Sequence, residues 1–397
     1  MDVSYFIGGR LRFKGRMAVI SIAVSFLVMI VAVSVSYGFR YEIRNGLAGI
    51  SGDIQLAPPD LNVMDSSQPV EREPAYLGKV MSVPGVDKVV PVVYRAGIVK
   101  NGTDIHGVLF KALPEGQSSV SGVHAQDSIA LQVAVPRRFS EVSGLNPGDR
   151  MLTYFIGDKI TLRQFNIVSV YDPLLQTDDR MVVYASLSDL QRVNGWNGNQ
   201  VSAMEVMLDP AYKDEAVIRE VAEEVGTYVN AYSSDSETPV IAVSSVYRYP
   251  VLYDWLGILD FNVFFILLLM TIVAGFNMIS GLLIMLFENI STIGLLKALG
   301  MTDRSISKAF ISSAAVLVLK GMTAGNLLAL LFCLIQGTTH VLTLNPENYF
   351  VSFVPVYVNM GAVLLADLAA FAVIMLLLLI PCIFISKVDP ADTVRVK

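Results

Sequence analysis

Charge is scarce in this chain: only 16% of its 397 residues are Asp, Glu, Lys or Arg, against about 25% in an ordinary soluble domain. Cysteine is scarcer still. Cys333 and Cys382 are the only two, both inside apolar runs, so no disulfide braces the sequence before them and that part needs a core of its own. The three histidines, His106, His124 and His340, are scattered, and neither C-x-x-C nor H-E-x-x-H occurs, so no metal site is expected. The G-x-x-x-x-G-K-[ST] phosphate loop is missing, which excludes cradling a nucleotide in that way. So is the G-x-S-x-G nucleophile elbow. Paired acids such as Asp178-Asp179 and Glu223-Glu224 fall on polar turns or helix faces, where solvated charge is the ordinary reading. Nothing in the chain calls for an enzyme or a bound cofactor.

What is present is apolar length. Hydrophobic residues make up 53% of the chain, concentrated in runs at 17–39, 258–287, 309–336 and 358–385. Each can cross a hydrocarbon core of roughly 30 Å at about 1.5 Å per residue. A cleaved signal peptide is the rival for the first run. Its apolar core would be about 7–15 residues; this run is longer and is followed by Arg40, Glu42 and Arg44 rather than a small-residue cleavage site. An anchor is therefore expected.

Basic residues in short flanks set the orientation. Arg10, Arg12, Lys14 and Arg16 precede the first run, Lys297, Arg304 and Lys308 lie between the second and third, and Lys387, Arg395 and Lys397 follow the fourth. The 337–357 loop has neither Lys nor Arg. The expected order is a cytoplasmic elbow at 1–16, a span at 17–39, an outer domain at 40–257, a span at 258–287, a cytoplasmic loop at 288–308, a span at 309–336, an outer loop at 337–357, a span at 358–385 and a cytoplasmic tail at 386–397. The fold class is an α+β membrane protein. It has four transmembrane helices and a large extracytoplasmic mixed α/β domain between helices 1 and 2.

Inside that domain, strand and helix signals alternate. A strand is expected at 53–56, a helix at 75–81, and a hairpin at 87–110 turning on Asn101-Gly102. A helix follows at 137–142, a second hairpin turns on Gly157-Asp158-Lys159, and Ser188 can cap a short helix. A half-buried strand is expected at 201–208, then a helix at 210–225 closed by Gly226. Pro58-Pro59 to Pro69 reads as a loop. Tyr247, Tyr249, Tyr253 and Trp255, just before the second span, read as an interfacial belt.

Ionisable residues inside spans cost at least ~2.5 kcal/mol each to insert. Lys320 and Asp367 both fall roughly 16 Å above the inner face at 1.5 Å per residue. Equal depth predicts an ion pair; the alternative is that Lys320 snorkels while Asp367 faces a polar cavity. Gly321 and Gly325 form a G-x-x-x-G suited to close helix packing. In the 288–308 loop, Ile290, Ile293, Leu296 and Leu299 recur near helical spacing. A short amphipathic helix is expected, apolar enough for a partner groove to grip; a helix lying at the interface with no partner is the alternative. Gly300 can end it and Thr302 can cap the next helix.

Several of these segments together resemble a known family, the permeases of lipoprotein-releasing ABC transporters (LolC/LolE type) within the FtsX/MacB superfamily. Tyr37-Gly38-Phe39-Arg40-Tyr41-Glu42-Ile43 resembles the N-G-F-x-x-E-[LI] signature after the first span. Residues 49–56 resemble L-G-x-x-x-H-I, with Asp53 where His is usual. Glu288, Ile290, Ile293, Gly294, Leu295, Leu296, Lys297, Ala298, Leu299 and Gly300 fall in a stretch similar to the family's coupling helix, E-x-x-x-x-I-x-[IL]-L-K-A-L-G. Asn289 and Ser291 stand where basic residues are usual. The tail at 388–395 resembles I-x-P-A-x-x-L-R.

The resemblance implies a permease that works with a second permease, identical or paralogous, and with a cytoplasmic ABC ATPase dimer. That dimer would hydrolyse ATP with Mg and grip the 288–300 segment. It also implies a lipoprotein substrate passing between the first two spans towards a periplasmic chaperone, in the inner membrane of a diderm bacterium; nucleic acid has no part. Val31, Val35, Tyr37 and Phe39 of the first span and Phe261, Phe264 and Phe265 of the second could line an acyl-chain cavity, and ordinary helix packing explains them as well. Two other roles from the same superfamily stay open: a mechanotransmitting exporter of another substrate, and a scaffold that activates a cell-wall hydrolase.

Overall fold

The computed structural model describes residues 16–59, 68–114, 131–157, 160–173, 175 and 181–386. The basic elbow before Arg16, the 388–395 tail motif, Lys387, His124, Asp178-Asp179, Asp158-Lys159 and most of the 58–69 loop lie outside the described residues. The chain splits into two compact units. A helical unit combines Met1–Tyr41, Trp255–Leu344 and Phe353–Lys397; an α/β unit combines Glu42–Asp254 and Asn345–Ser352.

The first helix, α1 (Arg16–Ser51), runs on past the apolar segment and ends at Gly52, whose φ of +72° suits glycine. Among the described residues, eleven strands follow in the α/β unit: β1 (Ile54–Ala57), β2 (Val70–Glu71), β3 (Val86–Asn101), β4 (Asp104–Leu113), β5 (Gln132–Pro136), β6 (Arg150–Phe155), β7 (Thr161–Tyr171), β8 (Val182–Ser186), β9 (Gln200–Val201), β10 (Ala203–Leu208) and β11 (Ile241–Ser244). Among the described residues the strands are punctuated by single-turn helices at Leu77–Val80, where the sequence predicts one, and at Ser245–Arg248, and by three longer ones: α2 (Arg137–Ser143), α3 (Leu187–Asn194) and α4 (Glu215–Tyr232). The helical unit then adds α5 (Pro250–Glu288), α6 (Ile290–Ala298), α7 (Asp303–Thr339), α8 (Met360–Leu377) and α9 (Leu379–Ser386). Among the described residues, four helical segments, Arg16–Ser51, Pro250–Glu288, Asp303–Thr339 and Met360–Ile383, are long and apolar enough to cross a membrane.

Local chemistry sets these helix limits. Thr302 accepts the Ser305 amide at the start of α7, and His340, at φ +49°, ends it. Asn359 Oδ1 accepts the Gly361 and Ala362 amides at 3.0 and 3.2 Å to open α8. The break between α8 and α9 precedes Pro381, which has no N–H for the Leu377 carbonyl and would clash with it.

In the helical unit the core is built from i, i+4 rows. Ile22, Phe26 and Ile30 of α1, Ala274, Met278 and Leu282 of α5, Phe310, Ala314 and Val318 of α7, and Ala370, Ile374 and Leu378 at α8 are all fully or nearly fully buried. Gly321 and Gly325 lie where α7 meets α1. A Cβ on Gly321 would sit 2.6 Å from Ile22 Cγ2, and one on Gly325 would sit 2.4 Å from the Ala23 carbonyl oxygen.

The α/β unit is organised by one mixed sheet in the order β11-β1-β10-β3-β4-β8-β5-β7-β6. β3 serves twice. Its first half pairs with β10; its second half pairs with β4 and, through Ile98 and Val99, with β6. That extra pairing closes β3, β4, β8, β5, β7 and β6 into a ring, and Phe110, Phe155 and Phe165 fill it with centroids 5.0–6.1 Å apart. On the open side, α4 runs along β11 and buries Ile218, Val221, Ala222, Val225 and Val229.

Three local expectations change. Pro210–Tyr212 forms a separate 3₁₀ turn, and α4 passes through Gly226 to Tyr232. Gly226 therefore lies inside α4 and does not end it; a Cβ there would make ordinary contact with Ala242 at 3.6 Å. Ser186, not Ser188, occupies the cap position of α3. β5, β8 and β11 had no distinct signal in the sequence.

Candidate functional site

The loop between α5 and α7 holds α6, ended by Gly300 at φ +88°. The expected apolar stripe is divided. Ile293 is fully buried, and Leu296 packs half-buried against the helical core. Leu295 and Leu299 point outward, 56% and 75% exposed, with Ile290, Ala298 and Glu288 also exposed. Lys297 Nζ lies 3.0 Å from Asp303, which ties the end of α6 to the start of α7. One face of this short helix is therefore structural and the other is free.

The expected Lys320–Asp367 ion pair does not form. Asp367 is buried and accepts a hydrogen bond from Asn326 Nδ2 at 2.5 Å, while Lys320 is exposed on α7. Six residues separate 320 from 326, about 240° around a helix, so equal depth placed the two charges on different faces. Asn326, invisible to a search for charge, is the partner.

The seven proposed cavity residues differ in exposure. Val31 packs against the cluster of Ile30, Ala329 and Val363. Phe39 is buried edge-on to Trp255 at 5.4 Å. Tyr37 and Val35 are half-buried, with the Arg40 guanidinium carbon 5.9 Å from the Tyr37 ring centroid. Phe261, Phe264 and Phe265 are exposed on α5 and touch one another, centroids 4.8 and 6.0 Å apart. What the sequence search missed is Asp260 beside them: it accepts from Ser36 Oγ at 2.8 Å and pairs with Arg40, linking α1 to α5.

A polar cluster also surrounds the last turn of α1, inside the α/β unit. Lys111 and Glu205 are 1% and 0% exposed. Lys111 Nζ lies 2.8 Å from Glu205 Oε1 and donates to the Gly49 and Ile50 carbonyls at 2.8 and 2.9 Å. The Tyr94 hydroxyl donates to Glu205, Gln55 Nε2 donates to that hydroxyl at 3.2 Å, and Arg248 donates to Gln55 Oε1. Burial pushes the Glu205 carboxyl up and the Lys111 ammonium down, each opposed by the other's charge. Burial and the Glu205 charge push the Tyr94 phenol well up. Nearby, Asp53 Oδ2 accepts the Leu208 amide at 2.8 Å and lies 3.8 Å from Lys213; burial raises its carboxyl above the usual range, and the amide and Lys213 resist that rise. Arg44 reaches Asp214 at 3.1 Å.

Four long apolar helices, with a mixed α/β domain between the first and the second, define an integral membrane protein with a large inserted extracytoplasmic domain. Family comparison narrows the class. The FtsX-like permease C-terminal model matches residues 264–390, and the MacB-like periplasmic core domain model matches residues 17–224. The chain belongs to the FtsX/MacB-like permeases, the membrane subunits of ABC transporters. It is similar to the lipoprotein-releasing system transmembrane protein LolC of Neisseria meningitidis serogroup B, 23% identical over 98% of this chain and 95% of that one. LolC of Xylella fastidiosa (strain Temecula1) is 19% identical over 98% and 95%. The transmembrane protein LolE of Haemophilus influenzae is 21% identical over 95% and 93%.

Proposed function

We propose that this chain is a permease subunit of an ABC transporter that extracts lipoproteins from the inner membrane of a diderm bacterium and releases them towards the outer membrane. The chain binds no cofactor of its own. A separate cytoplasmic ATPase dimer hydrolyses ATP with Mg, and a second permease, identical or paralogous, completes the membrane portion. Both termini and the α6 loop are cytoplasmic, the α/β unit is periplasmic, and a soluble periplasmic chaperone receives the cargo. The division of α6 supports this reading best: Ile293 and Leu296 root the helix in the core of the helical unit, while Leu295 and Leu299 stay free to enter an apolar groove on a partner. Similarity to lipoprotein-releasing proteins along nearly the whole chain supports the choice of cargo.

The exposed cluster of Phe261, Phe264 and Phe265 offers apolar, aromatic surface at membrane depth for an acyl chain. The match to a MacB-like periplasmic core supports a second reading, a mechanotransmitting exporter of another substrate.

The test is reconstitution in sealed vesicles with an ABC ATPase and a second permease from the same source, loaded with a triacylated lipoprotein. ATP-dependent transfer of that lipoprotein to the soluble fraction is expected. Robust ATP turnover with none of the lipoprotein released, but with export of a soluble peptide or drug, would select the second reading. Cleavage within residues 68–240 by protease confined to the cytoplasmic side would overturn the topology.

A further inference from the structure

We propose that Lys111, Glu205 and Tyr94 are positioning residues of the transport cycle, forming a buried clamp on the last turn of α1. The proposal rests on the permease reading above.

The last carbonyls of an α-helix have no partner within it. At the end of α1, Lys111 Nζ takes two of them, Gly49 at 2.8 Å and Ile50 at 2.9 Å, so an ammonium meets the negative end of the helix dipole. The Tyr94 hydroxyl, whose one proton goes to Glu205, lies 3.1 Å from the Ile50 carbonyl. Glu205 holds Lys111 and Tyr94 from the far side, and a Cβ on Gly52 would come within 2.9 Å of Glu205 Cβ. Lys111 comes from β4, Glu205 from β10 and Tyr94 from β3 between them, so three neighbouring strands close on one helix end.

Stability alone does not explain this chemistry. A buried ion pair loses much of its attraction to desolvation, and apolar residues of similar volume often replace one without loss. Directional hydrogen bonds supply what apolar packing does not, a fixed rotation and axial position for the helix end. α1 is unbroken from Arg16 to Ser51. With its last turn clamped, a displacement along or around its axis is delivered to the three strands instead of being lost as slip.

The test uses the reconstituted complex. In the double variant Lys111→Met with Glu205→Leu, both charges go and the volume stays. The expected result is a complex that still folds, with melting lowered by the loss of the carbonyl partners, ATP turnover unchanged, and lipoprotein released per ATP reduced about fivefold or more. A merely structural pair would leave that ratio at the wild-type value, and such a result overturns the proposal. Should the double variant fail to fold, Tyr94→Phe decides in its place. A lowered release per ATP supports the clamp, and a wild-type ratio overturns it. Failure of the permease reading itself would show separately, as absence of release from the unmodified complex.

Discussion

Asn326 Nδ2 donates to Asp367 Oδ2 at 2.5 Å, joining α7 to α8 at a carboxyl group that is almost wholly buried. Oδ1 of each residue is buried without a protein partner. The pair is thus a local polar contact in an apolar bundle, and its members depend on each other more than on Lys320, which shares α7 with Asn326.

Removing one member should cost more than removing both. Asp367→Leu strands the Asn326 amide, a loss of about 1–3 kcal/mol, whereas Asn326→Leu with Asp367→Leu recovers most of it. Lys320→Ala should leave melting unchanged. Thermal unfolding of the purified protein in detergent gives the comparison. Rescue of Asp367→Lys by Lys320→Asp would contradict the assignment of Asn326 as partner.

Gly325 tolerates no side chain, because a Cβ there would lie 2.4 Å from the Ala23 carbonyl oxygen, a backbone atom. Gly325→Leu should separate α1 from α7 and destabilise the helical unit by about 1–3 kcal/mol or more. Gly49→Ala, with nothing within 4 Å of the added carbon, is the control and should melt as wild type. Equal melting of Gly325→Leu and wild type would show that α1 and α7 do not pack at this glycine.

The spans were legible because apolar length is additive and needs no tertiary context, so the runs appear in α1, α5, α7 and α8. The β3–β4 hairpin was legible for a similar reason: Asn101-Gly102 is a local turn signal, and both strands adjoin it. Side-chain partners were not. Depth along a helix can be counted from sequence, but azimuth decides contact, and Lys320 and Asp367 agree in the first and not the second. Lys111 and Glu205 sit 94 residues apart on strands whose order, β10-β3-β4, is set by pairing across the sheet. A lone charge in a strand reads as a solvated face until that order is known. β5 and β8 are short strands held on both sides by neighbours distant in sequence, which leaves little local pattern to find.

Tyr184 provides a pH test of the α/β unit. Burial, with the Glu205 charge second, pushes its phenol up to about 12, from an ordinary value of 10.0. The native state therefore holds the phenolic proton more tightly than the unfolded state. The stability this confers is complete below about pH 10 and is lost as pH rises to about 12, about 2–3 kcal/mol in all. Thermal unfolding followed against pH should show a decline in that window, shallower in Tyr184→Phe. Ultraviolet difference titration should show one fewer late-ionising tyrosine in the variant. A phenol in the folded protein that ionises near 10, and is missing from Tyr184→Phe, would refute the assignment.

The two faces of α6 should separate folding from coupling. Ile293 is fully buried in the helical core, so Ile293→Asp places a carboxylate among apolar side chains and should prevent stable insertion. Leu296 is half-buried against the same core, so Leu296→Asp mixes the two effects. Leu295 and Leu299 face outward, and an exposed leucine can become aspartate at little cost to the fold, typically within about 0.5 kcal/mol. Leu299→Asp should therefore insert and melt as wild type, while ATP turnover loses its response to the permease and release falls about tenfold or more, an apolar anchor being worth at least about 1.4 kcal/mol at an interface. The measurement is ATPase activity and lipoprotein release of the reconstituted complex, beside membrane yield. If Leu295→Asp and Leu299→Asp both couple normally, the outward face of α6 is not where the ATPase acts, and contact must run through the ends of the neighbouring helices.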